Sequence, residues 1–376
     1  MSIAEPVTPI VKSATAGRRA LRVCHVSLTL KTGGLERLLA DIARYHDVLD
    51  CVPEFVALNE VGRFADVIRE AGCTVHQLKP SGVFGHVRQL ARLFRAGQFD
   101  VVHTHNTYPH IYGSIAAKLA GVPVVVNTRH GQRAGGNWKT QTLFRWSSHL
   151  VNRIVAVSDD AAQLCIKTDG VAARKVTRIW NGIDIDDFNF AGPVSAPVAI
   201  SVARLSAEKD FPTLLRALSI AIQDIPDLVL KLVGDGPERS RLELLARELN
   251  LAHHIEFLGE RSDVPALLTQ SGFFVTATLT EGISLTLLEA MAVGLPVLAT
   301  SVGGNSEIVQ VPQTGRLVPP GDPAGLAAAM VDMCRQMQSW HQMGRAGRER
   351  VEEHFEVRRM VSDYERLYRD LLAKKA

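Results

Sequence analysis

The segment Thr280–Ala299, TEGISLTLLEAMAVGLPVLA, carries the densest chemistry in the sequence. Glu281 and Glu289 stand seven residues apart, with Gly282, Ile283, Ser284 and Leu285 opening the gap between them. Ser284 suits the N-cap of a helix. The first backbone N–H groups of such a helix are free, and its dipole attracts an anion. Gly282 lets that backbone approach a ligand closely. Along the helix Leu285, Leu288, Glu289 and Ala292 share one face. A carboxylate on an apolar stripe is costly unless donors meet it, and the paired hydroxyls of a ribose are such donors. The segment then reads as a phosphate site at the helix start and a ribose site at Glu289. An internal arginine or capping group paired with Glu289 explains the same residue without a ligand.

Other residues could join this site. Arg204 and Lys209 follow the apolar run 198–203, and a forked guanidinium beside a point-charge ammonium suits a diphosphate. Their plain alternative is a surface salt bridge to Glu208 or Asp210. Thr32-Gly33-Gly34-Leu35-Glu36 follows a strand-like run and opens a helix, so its backbone can also approach a phosphate or sugar. Gly234-Asp235-Gly236-Pro237 reads as a tight strand-to-helix turn; Arg239 stands where a dinucleotide fingerprint needs glycine. His103, His105 and His110 cluster in HTHNTYPH, and His130 follows another strand-like run. Zinc is the competing idea for such histidines, but strand-end rings satisfied by backbone are the favoured reading. Asp184-Ile185-Asp186 lies in a turn, so no metal site is expected there.

Short β-branched runs alternate with helical periods twice along the chain. Strands are predicted at 21–28, 52–58, 73–78, 99–103, 122–127, 153–157 and 175–180, and again at 198–203, 228–233, 254–258, 272–277 and 296–300. A helix is predicted over Leu35–Tyr45, and the chain from about 323 onward reads as mostly helical. Residues 191–197, AGPVSAP, read as a linker. The fold class is therefore α/β: two doubly wound, Rossmann-like domains facing a cleft, over 20–190 and 198–355, after a loose polar arm at 1–19. The length of 376 residues and the 46% hydrophobic content agree with two globular domains. Five scattered cysteines without a C-x-x-C point to a reducing compartment. No signal-peptide core and no membrane-length apolar run is present, so the cytoplasm is the expected location.

Glu281, the seven-residue gap, LEAMAVGLPV and Gly303-Gly304-Asn305-Ser306-Glu307 occur in that order. Together they resemble the E-x7-E segment and glycine-rich loop of the retaining family 4 glycosyltransferases. Position 283 is Ile where that family often has Phe. Arg204-Leu205 with Lys209, Gly234–Pro237, Phe257-Leu258-Gly259, the glycines at 33 and 34, Thr128-Arg129-His130-Gly131 and Asn181-Gly182-Ile183-Asp184 match in order. The resemblance spans 20–376 and implies the two-domain GT-B fold, with the last helix, within 356–376, packing back on the first domain. It implies a nucleotide-sugar donor on the second domain and an acceptor on the first, with no cofactor and no metal. Glu289 would hold the ribose, and Gly259 and Arg261 would line the base. Arg204, Lys209 and the amides at Ser284–Leu285 would hold the diphosphate, while Glu281 and His130 would orient the sugar. His103 and Trp138 are expected near the cleft. Transferases of bacterial exopolysaccharide clusters are similar, so a glycan or lipid-linked acceptor is expected. A sugar-nucleotide 2-epimerase and a non-catalytic binding module share the fold; the G-G-x-x-E loop with E-x7-E argues against the first, and the intact Arg204, Lys209, Glu281 and Glu289 argue against the second.

The net charge of +3 hides an asymmetry, since residues 61–153 hold twelve Lys/Arg against three Asp/Glu. Within His86–Arg95, Val87, Leu90, Ala91 and Phe94 form one helical stripe and Arg88, Arg92 and Arg95 another. The arginines either face water or meet anionic lipid headgroups at the inner face of the membrane. Trp138, Phe144 and Trp146 lie among Arg133, Lys139, Arg145 and Arg153, a mixture suited to a membrane interface or an acceptor. No nucleic-acid motif accompanies the charge.

Overall fold

The computed structural model describes residues 19–31, 33–46, 50–131 and 138–375, so nearly all of the expected N-terminal arm lies outside them. In the first half, β1 (Leu21–Ser27), β2 (Cys51–Ala57), β3 (Thr74–Gln77), β4 (Val101–His105), β5 (Val124–Arg129), β6 (Arg153–Ala156) and β7 (Val176–Arg178) form a seven-stranded sheet in the order β3-β2-β1-β4-β5-β6-β7. In the second half, β8 (Val198–Val202), β9 (Val229–Val233), β10 (Ile255–Gly259), β11 (Phe273–Thr276), β12 (Val297–Thr300) and β13 (Gly315–Val318) form a six-stranded sheet in the order β10-β9-β8-β11-β12-β13. Every pairing is parallel. Strand order reverses beside β1 and β8, and crevices at such points are where doubly wound sheets bind ligands.

Helices cover both faces of each sheet. In the first half α1 (Gly34–Arg44) and α2 (Arg63–Glu70) close one core. The opposite face carries α3 (Val83–Gly97), α4 (Thr107–Ala120), α5 (Trp138–Ser147) and α6 (Asp159–Lys167). The second half carries α7 (Phe211–Ala221), α8 (Arg239–Glu248), α9 (Val264–Leu268), α10 (Leu285–Val293), α11 (Asn305–Ile308), α12 (Pro323–Arg335) and α13 (Trp340–His354). The chain then returns: Val357 N donates to Ile183 O at 2.9 Å, and α14 (Val357–Ala373) lies on the first half. Val357, Met360, Val361, Tyr364, Tyr368 and Leu371 of α14 are buried with Val23, Phe55 and Val126, at the spacing of one helical face.

Sequence and structure differ at a few elements. β13 was not anticipated, because Gly-Arg-Leu-Val offers neither an apolar run nor alternation. α3 begins at Val83, three residues before the predicted stripe. Among the described residues no helix is long and apolar enough to cross a membrane.

Candidate active site

The site is built from strand ends of both halves. Residues 277–284 lead from β11 to α10, and Ser284 caps that helix by accepting a bond from Leu287 N at 3.4 Å. Gly304 N donates to Gly282 O at 2.8 Å, so the two glycine-containing loops of this half support each other. A Cβ on Gly282 would collide with the carbonyl oxygen of His130. The absence of that atom brings the first half's β5 end against the second half's loop. A Cβ on Gly34 would lie 3.4 Å from Leu285 Cδ1, so the first glycine loop faces the start of α10. His130, Gly34, Gly282, Ile283, Ser284 and Leu285 are thus brought together.

Lys209 ends a short turn of 3-10 helix after β8, and its Nζ lies 2.6 Å from Glu281 Oε2. The pair replaces the expected plain alternative of Glu208 or Asp210; Glu208 accepts from Ser206 Oγ at 2.6 Å instead. Arg204 is exposed and has no ion-pair partner among the described residues, which leaves a guanidinium free for an anion. Gly33 is close to Glu36, whose Oε1 accepts from Thr29 Oγ1 at 2.8 Å. Gly259 has φ +70°, a left-handed turn suited to glycine. Arg261 is exposed beside it and paired with Asp263 at 2.6 Å.

Glu289 is buried, and Arg37 Nη1 of α1 donates to its Oε1 at 2.6 Å. Burial pushes this carboxyl up to about 7, with Arg37 pulling the other way. Its second oxygen is left for another donor. Sequence reasoning missed Arg37, although a cation one turn into a helix opposes the dipole and asks for a carboxylate partner. It also missed the part played by Glu307. That carboxylate accepts from Asp159 N at 2.7 Å and from Trp180 Nε1 at 2.8 Å, so it clamps the start of α6 to the second half.

The histidines need one correction. His103 was expected near the cleft, but it is fully buried; its Nδ1 bonds Tyr368 OH at 2.6 Å and its Nε2 bonds Thr128 Oγ1 at 2.7 Å. Strand alternation turns its ring toward α14. His130 is held at the β5 end, where its N donates to Asn106 Oδ1 at 3.0 Å. Asn106 itself has φ 64°, a strained conformation for a non-glycine residue. Burial lowers His130 to about 3, so the ring is neutral at pH 7. His25, His103 and His105 offer ring nitrogens within 4.8 Å of one another, as a metal would need. Those nitrogens are bonded to each other, to Tyr368 and to Thr128. Trp138 opens α5 and is 70% exposed.

Chemically, the site offers a free helix start, two cations, a buried carboxylate with an unused oxygen and a neutral imidazole. Such a set is chemically suited to a phosphorylated nucleoside with a polar group beside it. Residues 183–350 match the family model of group 1 glycosyl transferases, and residues 32–187 match that of Glycosyltransferase Family 4. The Escherichia coli UDP-Gal:alpha-D-GlcNAc-diphosphoundecaprenol alpha-1,3-galactosyltransferase is 29% identical over 76% of this chain and 79% of that protein. The Bacillus anthracis N-acetyl-alpha-D-glucosaminyl L-malate synthase is 28% identical over 76% of this chain and 78% of that protein. Among solved structures, Anabaena HepE in complex with UDP superposes with a TM-score of 0.82 at 21% identity, covering 92% of this chain and 98% of that one.

Proposed function

The chain belongs to the family 4, group 1 glycosyltransferases of GT-B fold, and we propose that it is a retaining transferase using a nucleoside-diphosphate sugar. In this reading Glu289 accepts from the ribose hydroxyls through its unused oxygen, and the base lies along Gly259–Arg261. Lys209 and Arg204, with the amides of Ser284 and Leu285, hold the diphosphate; Glu281 and His130 orient the sugar. The glycine loop at Gly33 and Gly34 closes over the donor. Charge developing on the leaving phosphate meets fixed donors, commonly the largest catalytic term.

The bond between the sugar's anomeric carbon and the phosphate oxygen breaks while the acceptor oxygen bonds to that carbon from the same face. The acceptor's proton passes to the leaving phosphate oxygen. No side chain is needed as nucleophile, and no metal is needed. Closure of the two halves excludes water. The carrying observation is the meeting of Lys209, Glu281 and the His130 carbonyl at the uncovered start of α10.

The acceptor side is the first half, and the setting is exopolysaccharide or another cell-surface glycan made on the cytoplasmic side. The Escherichia coli relative, named for transfer to a diphosphoundecaprenol-linked sugar, supports a lipid-linked acceptor. Peripheral membrane contact fits the same face. Phe84 (91% exposed) on α3 and Trp138 and Trp146 on α5 are exposed, and α3 also carries the exposed Arg88 and Arg92. Arg95 is partly used, donating to Leu119 O at 2.7 Å. Replacing Arg88 and Arg92 with Glu should abolish sedimentation with anionic liposomes; unchanged sedimentation removes the membrane role.

The donor reading is tested by thermal unfolding with UDP, GDP, ADP and TDP, each with and without magnesium. One base should stabilise the protein by about 2.7 kcal/mol at a hundred times its Kd, independent of magnesium. No shift with any nucleotide counts against the site.

A further inference from the structure

An ion pair joins the two halves at the candidate site. Arg37 stands in the first turn of α1, where its N donates to Gly33 O at 3.1 Å. Its Nη1 donates to Oε1 of Glu289, on α10 of the second half, at 2.6 Å. Its Nη2 lies 3.6 Å from Asp187 Oδ2, and its guanidinium carbon lies 5.5 Å from the ring centre of Phe188. Asp187 and Phe188 end the short 3-10 turn that precedes the linker. One side chain of α1 thus touches both the connection between the halves and α10.

A plain buried salt bridge does not account for this arrangement. Glu289 is 4% exposed, yet among the described residues its Oε2 accepts no hydrogen bond. A buried ion pair offsets its desolvation only when the remaining lone pairs are also met. The surroundings make the carboxylate costlier still. Burial and the charges of Asp41 and Asp187 push it up, and Arg37 pulls it back. Asp41 is itself buried and pushed up to about 6, with Arg37 and Arg44 opposing. Arg37 is thus the cation shared by Asp41, Asp187 and Glu289. Its own side chain keeps 30% of its surface exposed, so the pair borders solvent rather than closing a core. Gly34, which begins the same helix, faces Leu285 at the start of α10. The pair stands at the junction that forms the cleft.

We infer that Arg37 is a positioning residue for the nucleotide: it reaches across from the first half to fix the Glu289 carboxylate, so that the other oxygen receives the ribose hydroxyls. The inference rests on the ribose reading of Glu289 given under Proposed function. Gripped at one oxygen, the carboxylate keeps one orientation and its negative charge, and two adjacent hydroxyls donate to the oxygen that is left. The planar fork suits this place because one guanidinium faces two carboxylates, which a point charge does not reproduce. Since Arg37 belongs to α1, ribose recognition by the second half is complete only with the first half in place.

The test compares a nucleotide with the analogue that lacks the hydroxyls. Whichever of UDP, GDP, ADP and TDP stabilises the wild type is titrated calorimetrically into the full chain, beside its 2′,3′-dideoxy analogue. The wild type should prefer the parent nucleotide about tenfold or more. In Arg37→Met that preference should shrink to about threefold or less, while affinity for the dideoxy analogue stays within about threefold of wild type. A merely structural role would weaken both nucleotides alike and leave the preference intact. Arg37→Lys keeps the charge without the fork and should fall between, with a preference about twofold or more below wild type. It carries the test if Arg37→Met does not fold. A wild-type preference retained in the folded variants overturns the inference and leaves the ribose reading standing. A wild type that binds both forms alike removes the ribose reading and the inference together, and so does a wild type that binds none of the four diphosphates.

Discussion

The two halves share a doubly wound plan but bury opposite chemistry. The sheet interior of the first half holds His25, His103 and His105, all forced neutral by burial. The interior of the second half is Leu, Val, Phe and Met, and its one fully buried carboxylate, Glu289, is pushed the other way. The first half therefore keeps polar groups behind its site, bonded to one another. The second half keeps its polar groups at strand ends, where a ligand can reach them. One sheet supports a ring; the other supports an anion.

The largest effect that could break this contrast is acid stability. The His25 and His130 rings have folded values of about 3 against 6.5 unfolded, so below 6.5 the unfolded chain binds more protons. Stability they contribute is present above 6.5 and is lost as pH falls toward 3. At pH 5 each costs about 2 kcal/mol. Glu289 has the opposite sign: its value of about 7 against 4.5 unfolded makes stability fall as pH rises through that window. Hydrogen exchange at pH 5 and pH 7 should therefore show the first half loosening on acidification and the region around α10 unchanged or firmer. Equal loosening of both halves would erase the contrast.

A catalytic contrast comes next. Lys209→Ala removes one fixed cation from the proposed diphosphate site and releases Glu281 from its 2.6 Å partner. Turnover should fall about a hundredfold or more, with little change in melting temperature because both side chains are only partly buried. Turnover within a few-fold of wild type would move the diphosphate elsewhere.

How much of this was legible in the sequence differs between the halves for the same physical reason. β-branched runs bounded by Gly and Pro mark most strands of both sheets, while the short, polar β13 carries no such mark. In the second half, the N-cap at Ser284 and the apolar stripe around Glu289 are local signals, so the spacing alone exposes them. The Lys209–Glu281 contact joins residues 72 apart, and no local rule supplies the partner. Arg37 and Glu289 are 252 apart, which hid the pair even though each residue looked out of place alone. In the first half the histidines were visible as letters, but their function depends on strand register. His103 was placed near the cleft by its position at a strand end, whereas alternation turns it into the core beside Tyr364 and Tyr368. His25 carried no signal at all, because only the pairing of β1 with β4 brings it to the others. Glu307 belonged to a glycine-rich loop that points to a donor, yet its carboxylate is spent on the amides at the start of α6.

The central claim is that the second half holds a nucleotide by its ribose at Glu289, and calorimetric titration of the nucleoside diphosphate that stabilises the wild type, into the wild type and into Glu289→Ala, tests it most directly. The account predicts binding to the wild type and at least tenfold weaker binding to the variant, since two buried hydroxyl contacts are lost, with folding intact by melting temperature. Equal affinity for that nucleotide in the two proteins, or no binding of any nucleoside diphosphate to the wild type, would contradict it.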